Sequence, residues 1–220
     1  MTLLLRPMNH SDIDQVTAID RLVFSMPWPA TSYAYEVKES PYSHLVILED
    51  TERSVTWPQE STWRWKSLAR RLAGDHSSNH SSHQILSYGG MWKIMEEAHI
   101  STIASHPKWQ GRGYGELVLA SMIRRAIRLG AGYIVLEVRV GNTIAQNLYR
   151  KYDFVVFDTK KRYYHDNDED AYDMRLDLYD KAVLTRFQRH YEAIKTRHTV
   201  VDEFTEAPNA HSKNNDEFSG

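Results

Sequence analysis

Apolar residues recur along this chain at two spacings, one helical and one extended, and the two alternate from end to end. Leu3–Arg6 reads as a short strand. Ile13, Val16, Ile19 and Val23 then fall three and four residues apart, so an amphipathic helix is predicted to run to about Phe24, with Asn9–Ser11 supplying its cap. Pro27-Trp28-Pro29 breaks the chain, Thr31–Lys38 predicts a second short helix, and His44–Leu48 a strand. Ile85–Ile94 and Ala98–Ser105 read as two further strands. Leu119, Met122, Ile123, Ala126 and Ile127 mark the buried face of a helix that Gly130 ends. The β-branched run Tyr133–Val140 predicts a central strand. Asn142 caps the next helix, whose stripe is Ala145, Leu148, Tyr149 and Tyr152. A strand or hairpin falls within Phe154–Leu178, and a charged helix runs from beyond Tyr179 to about Arg197.

Two stretches depart from this rhythm. Residues 49–83 carry Trp57, Trp63 and Trp65 among Arg64, Lys66, Arg70 and Arg71, followed by a Ser-, His- and Asn-rich linker. Trp65, Leu68, Ala69 and Leu72 share one helical face there. That basic amphipathic stretch reads either as packing on its own domain or as touching RNA, a partner protein or a membrane surface. His76, His80 and His83 have no carboxylate cluster beside them, and no metal site is predicted. Residues 202–220 hold five acids against Lys213 alone and are expected to be disordered. The chain thus divides into a domain over 1–179 with an insert at 49–83, a charged helical extension at 180–201 and an acidic tail.

Composition narrows the function classes. Lys plus Arg number 27 and Asp plus Glu 29, a formal charge of −2, so DNA binding through overall charge is not expected. Cysteine is absent, which removes thiolate nucleophiles and cysteine-ligated zinc and fits a reducing, cytoplasmic setting. No apolar run approaches the roughly 20 residues of a membrane helix, and no secretory signal is expected at the N-terminus.

One turn carries candidate chemistry. Gln110-Gly111-Arg112-Gly113-Tyr114-Gly115 lies between a strand and a helix start. Glycines there let the backbone reach positive φ, and successive N–H groups at a helix N-terminus favour an anion such as pyrophosphate. A plain tight turn accounts for the same spacing. The dinucleotide fingerprint fails, because Glu116 and Val118 stand where a third glycine is needed, and no P-loop Gly-Lys-Ser/Thr follows.

Gln110–Gly115 after Ser105-His106-Pro107 resembles the pyrophosphate loop of the GNAT acyltransferase superfamily. Leu136-Glu137-Val138-Arg139, Asn142, Leu148-Tyr149, Tyr163-Tyr164, Glu169-Asp170-Ala171 and Pro27-Trp28 further resemble the RimI-type ribosomal-protein alanine N-acetyltransferases. The departures are Gly141, where a small polar residue is usual, and Tyr152-Asp153-Phe154, where Leu-Gly-Phe is; Asp tolerates the left-handed turn geometry that this glycine would supply. The resemblance implies a mixed, twisted sheet splayed open to admit acetyl-CoA, and direct acetyl transfer to the α-amine of a ribosomal protein's N-terminal alanine. It implies that backbone groups of Ile103, Ala104 and Ser105 hold the pantetheine and thioester, while Gln110, Gly111, Arg112, Gly113, Tyr114 and Gly115 hold the pyrophosphate. Asn142 touches the cofactor arm in that reading and is a helix cap in the plain one. Glu137 matches the general base and reads alternatively as a strand carboxylate paired with Arg139 or another arginine. Tyr149 matches the acid that protonates the leaving thiolate, or is a core tyrosine. Trp28, Tyr33, Tyr163 and Tyr164 are candidates for the acceptor groove, and Glu97 for meeting a substrate amine. The alternative acceptor is a lysine side chain or a small amine. No metal is implied, and the insert offers a ribosome contact.

Overall fold

The protein is described by a computed structural model covering residues 1–54 and 83–207. The basic Trp-rich stretch of the insert, with His76 and His80, lies outside these residues, as does the tail beyond residue 207. Among the described residues eight strands form one sheet: β1 (Leu3–Pro7), β2 (Ser43–Ser54), β3 (His83–Ile94), β4 (Glu97–Ser105), β5 (Tyr133–Arg139), β6 (Val155–Tyr164), β7 (Glu169–Asp177) and β8 (Val200–Asp202). Their order is β6-β7-β5-β4-β3-β2-β1-β8, antiparallel except for β4 with β5 and β1 with β8. The α-helices of the described residues are α1 (Ile13–Val23), α2 (Ala30–Lys38), α3 (Tyr114–Arg128), α4 (Thr143–Lys151) and α5 (Lys181–Thr196).

The helices divide between two apolar cores. Ile13, Val16 and Ile19 of α1 and Tyr33 of α2 pack with Leu45, Ile47, Ile85, Tyr88 and Ala104. The second core joins α3 and α5 to Leu86, Ile100, Leu136, Val138, Met174 and Leu176, with Tyr149 of α4 among them. Asn9 caps the 3-10 turn His10–Asp12 that leads into α1, through a capping box: its side chain accepts from the Ser11 N–H at 2.9 Å, and its own N–H donates to Asp12 at 2.8 Å. Asp12 and Glu49 also receive the Arg6 guanidinium, at 2.7 and 2.8 Å.

Two local features open the sheet. β4 holds one extra residue, Ser101, where Gly90 faces Thr102 and Met91 faces Ile100. This bulge reverses the alternation, so Ile100 points into one core and Ala104 into the other. β4 pairs with β5 only from Glu97–His99 to Tyr133–Val135. Beyond that point the two strands part, leaving the β5-side edge of Ile103–Ser105 without a strand partner among the described residues.

The structure corrects three expectations of organisation. Residues 49–54 belong to β2 rather than to an insert; Glu49 faces Ile85 and is 3% exposed, because its carboxylate is taken up by Arg6. The 180–201 segment is an integral part of the fold. α5 buries Val183, Phe187, Tyr191 and Ile194, and β8 lies against β1. It also covers the outer side of α3, which is why that helix buries far more than the single predicted stripe. Residues 202–207, expected to be disordered, are ordered: Phe204 is 2% exposed, and Asp202 accepts from the Phe204 and Thr205 N–H groups.

Candidate active site

The glycine turn has the geometry its sequence predicts. Gly111 and Gly113 take φ of 74° and 84°, and Gly113 is the cap residue at which α3 begins. A Cβ on Gly115 would come within 3.0 Å of Ser105 Oγ, so the loop and the free edge of β4 approach as closely as glycine permits. Positive charge gathers at the mouth, where the guanidinium groups of Arg53 and Arg112 both lie over the Trp109 ring, 4.9 and 4.8 Å from its centroid. The last turn of α5 backs the loop: a Cβ on Gly113 would lie 3.3 Å from His198 Nε2 and 3.4 Å from Ile194 Cδ1. Gly113→Ala should therefore raise the Kd for acetyl-CoA roughly tenfold, since a left-handed non-glycine residue costs about 1–2 kcal/mol. Calorimetric titration with acetyl-CoA checks this, and an unchanged Kd would count against the loop as the binding element.

On the other side of the sheet, α1 and α2 cover only β2–β4. The start of β4, with β5, β6 and β7, lines a cavity of about 270 Å³ with Glu97, His99, Tyr133, Val135, Glu137, Phe157, Lys160, Asp173 and Arg175. Alternation along β5 sends Leu136 and Val138 into the core and Glu137 into this cavity. Glu137 Oε2 lies 2.8 Å from His99 Nε2, and Oε1 accepts from Lys160, which also reaches Asp173 at 3.1 Å. Burial works to raise the Glu137 pKa, but hydrogen bonds and charge from His99 and Lys160 outweigh it and hold the group at about 2. The Glu137 hydrogen bond in turn raises His99, against the opposing effect of its burial.

Glu137 is not paired with Arg139, as its plain reading allowed. Arg139 instead reaches Asp166 and Glu169, at 2.8 and 3.0 Å, and Ser25 at 3.2 Å, with its guanidinium 3.8 Å from the Tyr164 ring centroid. Ser25 also donates to Asp166. Arg139 thereby ties the loop before Trp28 to the β6–β7 turn, two segments distant in sequence. Gly141 is explained here too: its N–H donates to Glu169 at 2.7 Å, and a Cβ would meet that carboxylate at 2.9 Å.

The aromatic candidates separate. Trp28 stacks on Trp92 (6.1 Å), whose ring meets His99 edge-on at 5.5 Å, so a continuous aromatic wall leads to the cavity. Tyr163, 42% exposed, lies across from Lys160 and packs edge-to-face with Tyr164. Tyr33 does not line the groove. It is fully buried and its hydroxyl donates to Asp20 at 2.9 Å, so it supports Trp28 from behind. Glu97 accepts from the Tyr133 hydroxyl at 3.1 Å. Asn142 caps α4, accepting from the Ala145 N–H at 3.1 Å. Tyr149 is 6% exposed; burial pushes its phenol up, and its hydroxyl makes no hydrogen bond among the described residues. Sequence reasoning missed His99, Lys160 and Asp173 because their meeting depends on strand register. The available signal was a polar residue between Ala98 and Ile100.

The family described as Acetyltransferase (GNAT) family matches residues 14–154. The chain belongs to this family. As a GNAT protein it is an acetyl-CoA-dependent acetyltransferase. It is 32% identical over 167 residues to a Bacillus subtilis protein named provisionally as a ribosomal protein bS18-alanine N-acetyltransferase, covering 76% of this chain and 90% of that one. The Mycobacterium tuberculosis N-alpha-acetyltransferase RimI is 32% identical over 132 residues, covering 56% and 80%. Among solved structures, the Escherichia coli ribosomal-protein-S18-alanine N-acetyltransferase superposes with a TM-score of 0.60 at 20% identity, over 80% of this chain and 94% of that one. Arabidopsis thaliana NAA60 in complex with acetyl-CoA gives 0.61 at 13%, over 81% and 99%. These two likenesses show the GNAT fold. The parted strands, the positive-φ glycines and the Gly115–Ser105 approach fit a CoA thioester. Among the described residues no helix is long and apolar enough to cross a membrane.

Proposed function

We propose that this GNAT protein acetylates the free α-amine of a protein N-terminus, with a ribosomal protein beginning in alanine as acceptor. The observation that carries the reading is the Glu137 carboxylate on the floor of the cavity, beside the point where β4 and β5 part. The names of the relatives support the choice of acceptor. Acetyl-CoA supplies an activated acetyl thioester. Backbone groups of Ile103, Ala104 and Ser105 hold its arm in the gap, and Gln110 with the N–H groups of Arg112–Gly115 receives its pyrophosphate. Asn142, while capping α4, stands at the same end of β5 and meets the arm.

Glu137 serves the base side of the transfer and Tyr149 the acid side. An α-amine titrates near 7.7–8.0, so on the order of a tenth is neutral at pH 7 and the base has only the remaining proton to remove. The Tyr149 phenol, kept protonated by burial, gives its proton to the departing thiolate. Trp28, Tyr163 and Tyr164 form the walls along which the first residues of the acceptor lie, and Arg139 fixes the spacing of those walls.

Incubation with labelled acetyl-CoA and peptides that differ in residue one tests the acceptor. Peptides with a free N-terminal alanine should take label, and N-terminally blocked controls should not. Label on blocked, lysine-containing peptides would transfer the reading to lysine or small-amine acetylation.

A further inference from the structure

The loop that carries Trp28 joins α1 to α2 and is held at both ends. Arg139 and Asp166 take its first residues through Ser25. Asp20, near the end of α1, takes the last. Pro27 and Pro29 have no N–H, so Trp28 is the one backbone donor of that tripeptide, and it donates to Asp20 Oδ2 at 3.2 Å. The Tyr33 hydroxyl donates to the same oxygen at 2.9 Å, with the Tyr88 hydroxyl 3.4 Å behind it. Asp20 is 1% exposed, and its Oδ1 is buried without a hydrogen-bond partner among the described residues. A half-satisfied carboxylate in an apolar core is costly, and a neutral side chain would serve packing better. What this one holds is the backbone of Trp28, whose ring tilts against Tyr33 at 5.4 Å and stacks on Trp92.

Resting on the acceptor reading above, we infer that Asp20 is the positioning residue of the acceptor wall, seating the Trp28 backbone so that its ring meets the first residues of the acceptor. Asp20 touches neither acceptor nor cofactor; it acts through Trp28.

An ionised carboxylate holds an N–H more strongly than a neutral acid does. Burial pushes the Asp20 carboxyl up to about 6, against the Tyr33 and Trp28 hydrogen bonds, which lower it. The groups facing it are the Tyr33 hydroxyl on α2, itself hydrogen-bonded to Thr102 on β4, the Tyr88 hydroxyl on β3 and the Trp28 N–H. No charged side chain acts on it among the described residues. The seat of Trp28 therefore tightens as pH rises through about 6. Stability moves the other way. The folded value lies above the ordinary 3.8, so the unfolded chain loses this proton first, and the fold weakens as pH climbs between the two values. Asp20→Asn carries no such penalty.

The test follows Trp28 directly, by fluorine NMR of fluorotryptophan-labelled protein with the Trp28 signal assigned through Trp28→Phe. Beside it, kcat and the peptide KM are measured from acid to neutral pH at saturating acetyl-CoA. In the wild type the Trp28 signal should titrate near 6, and the KM for an alanine peptide should fall by about five- to tenfold across the same step, the gain of a charge-assisted over a neutral hydrogen bond. The acceptor amine titrates well above this range and is common to all the proteins compared. Asp20→Asn should lose the titration and keep the high, acid-side KM, with kcat at saturating peptide near wild type and a thermal midpoint at neutral pH no lower. Tyr33→Phe removes a hydrogen bond that lowers the Asp20 carboxyl, so the Trp28 titration should move to higher pH, an independent check if Asp20→Asn folds poorly. A Trp28 signal that titrates unchanged in Asp20→Asn, a KM there equal to the wild type throughout, or a Tyr33→Phe midpoint that stays in place would overturn the inference. A wild type that labels no free N-terminus would overturn the acceptor reading instead, while the Trp28 titration still reports on Asp20.

Discussion

Tyr149→Phe should lower kcat by about 10²–10⁴-fold while leaving the thermal midpoint and the acetyl-CoA affinity where they are. The hydroxyl is the only atom lost, and among the described residues it makes no hydrogen bond, so packing against Phe154 at 5.8 Å between centroids persists. Removing a hydroxyl that makes no hydrogen bond gives the fold no reason to weaken. What disappears is a proton donor, a contribution typical of general acid catalysis. Steady-state kinetics beside calorimetric binding separate these effects. Turnover equal to the wild type would return Tyr149 to the role of a core tyrosine.

Ending the chain at Tyr179 should leave a protein without a cooperative folding transition. The truncation removes Val183, Phe187, Tyr191, Ile194 and Phe204 from the core around α3, each buried to within a few per cent. At about 1.5–3 kcal/mol for each large apolar side chain, the loss is comparable with the roughly 5–15 kcal/mol that typically holds a whole domain. It also strips β8 from the edge of β1 and leaves Asp153 without its Arg186 partner. Phe187→Ala grades the same effect, with about 3–5 kcal/mol expected from urea unfolding. A truncated chain that unfolds cooperatively at the wild-type midpoint would show that α5 is dispensable. Because Ile194 and His198 back Gly113, milder damage to α5 also reaches the glycine loop.

Local physics was legible in the residues. The stripe of α1, the cap at Asn9, the glycines that must take positive φ and the alternation that turns Glu137 away from Leu136 all depend on neighbours within a few positions. Asp153 belongs with them: it takes φ of 64° in the place of the family's usual glycine, as the tolerance of Asp for that geometry predicts. Expectations failed where an outcome depended on distant parts of the chain. Tyr33 offered an aromatic ring for the groove, but α2 turns it inward onto Asp20. Residues 180–207 are too polar on average to announce a core element, yet their few apolar side chains find an uncovered flank of α3.

The candidate site divides in the same way. Sequence alone determined that a carboxylate would stand in an apolar strand, a tyrosine on the following helix and a glycine loop at a helix start. Only the tertiary structure decided the company that carboxylate keeps. His99 and Lys160 reach Glu137 from β4 and β6, and the pairing of β5 with β7 and of β7 with β6 sets which residues meet. Arg139, two residues away and on the same face, is drawn off by Asp166 and Glu169. Strand register is a property of the whole sheet, fixed by bulges and by burial on both faces, and a charge belongs to whichever partner that register brings within hydrogen-bond reach.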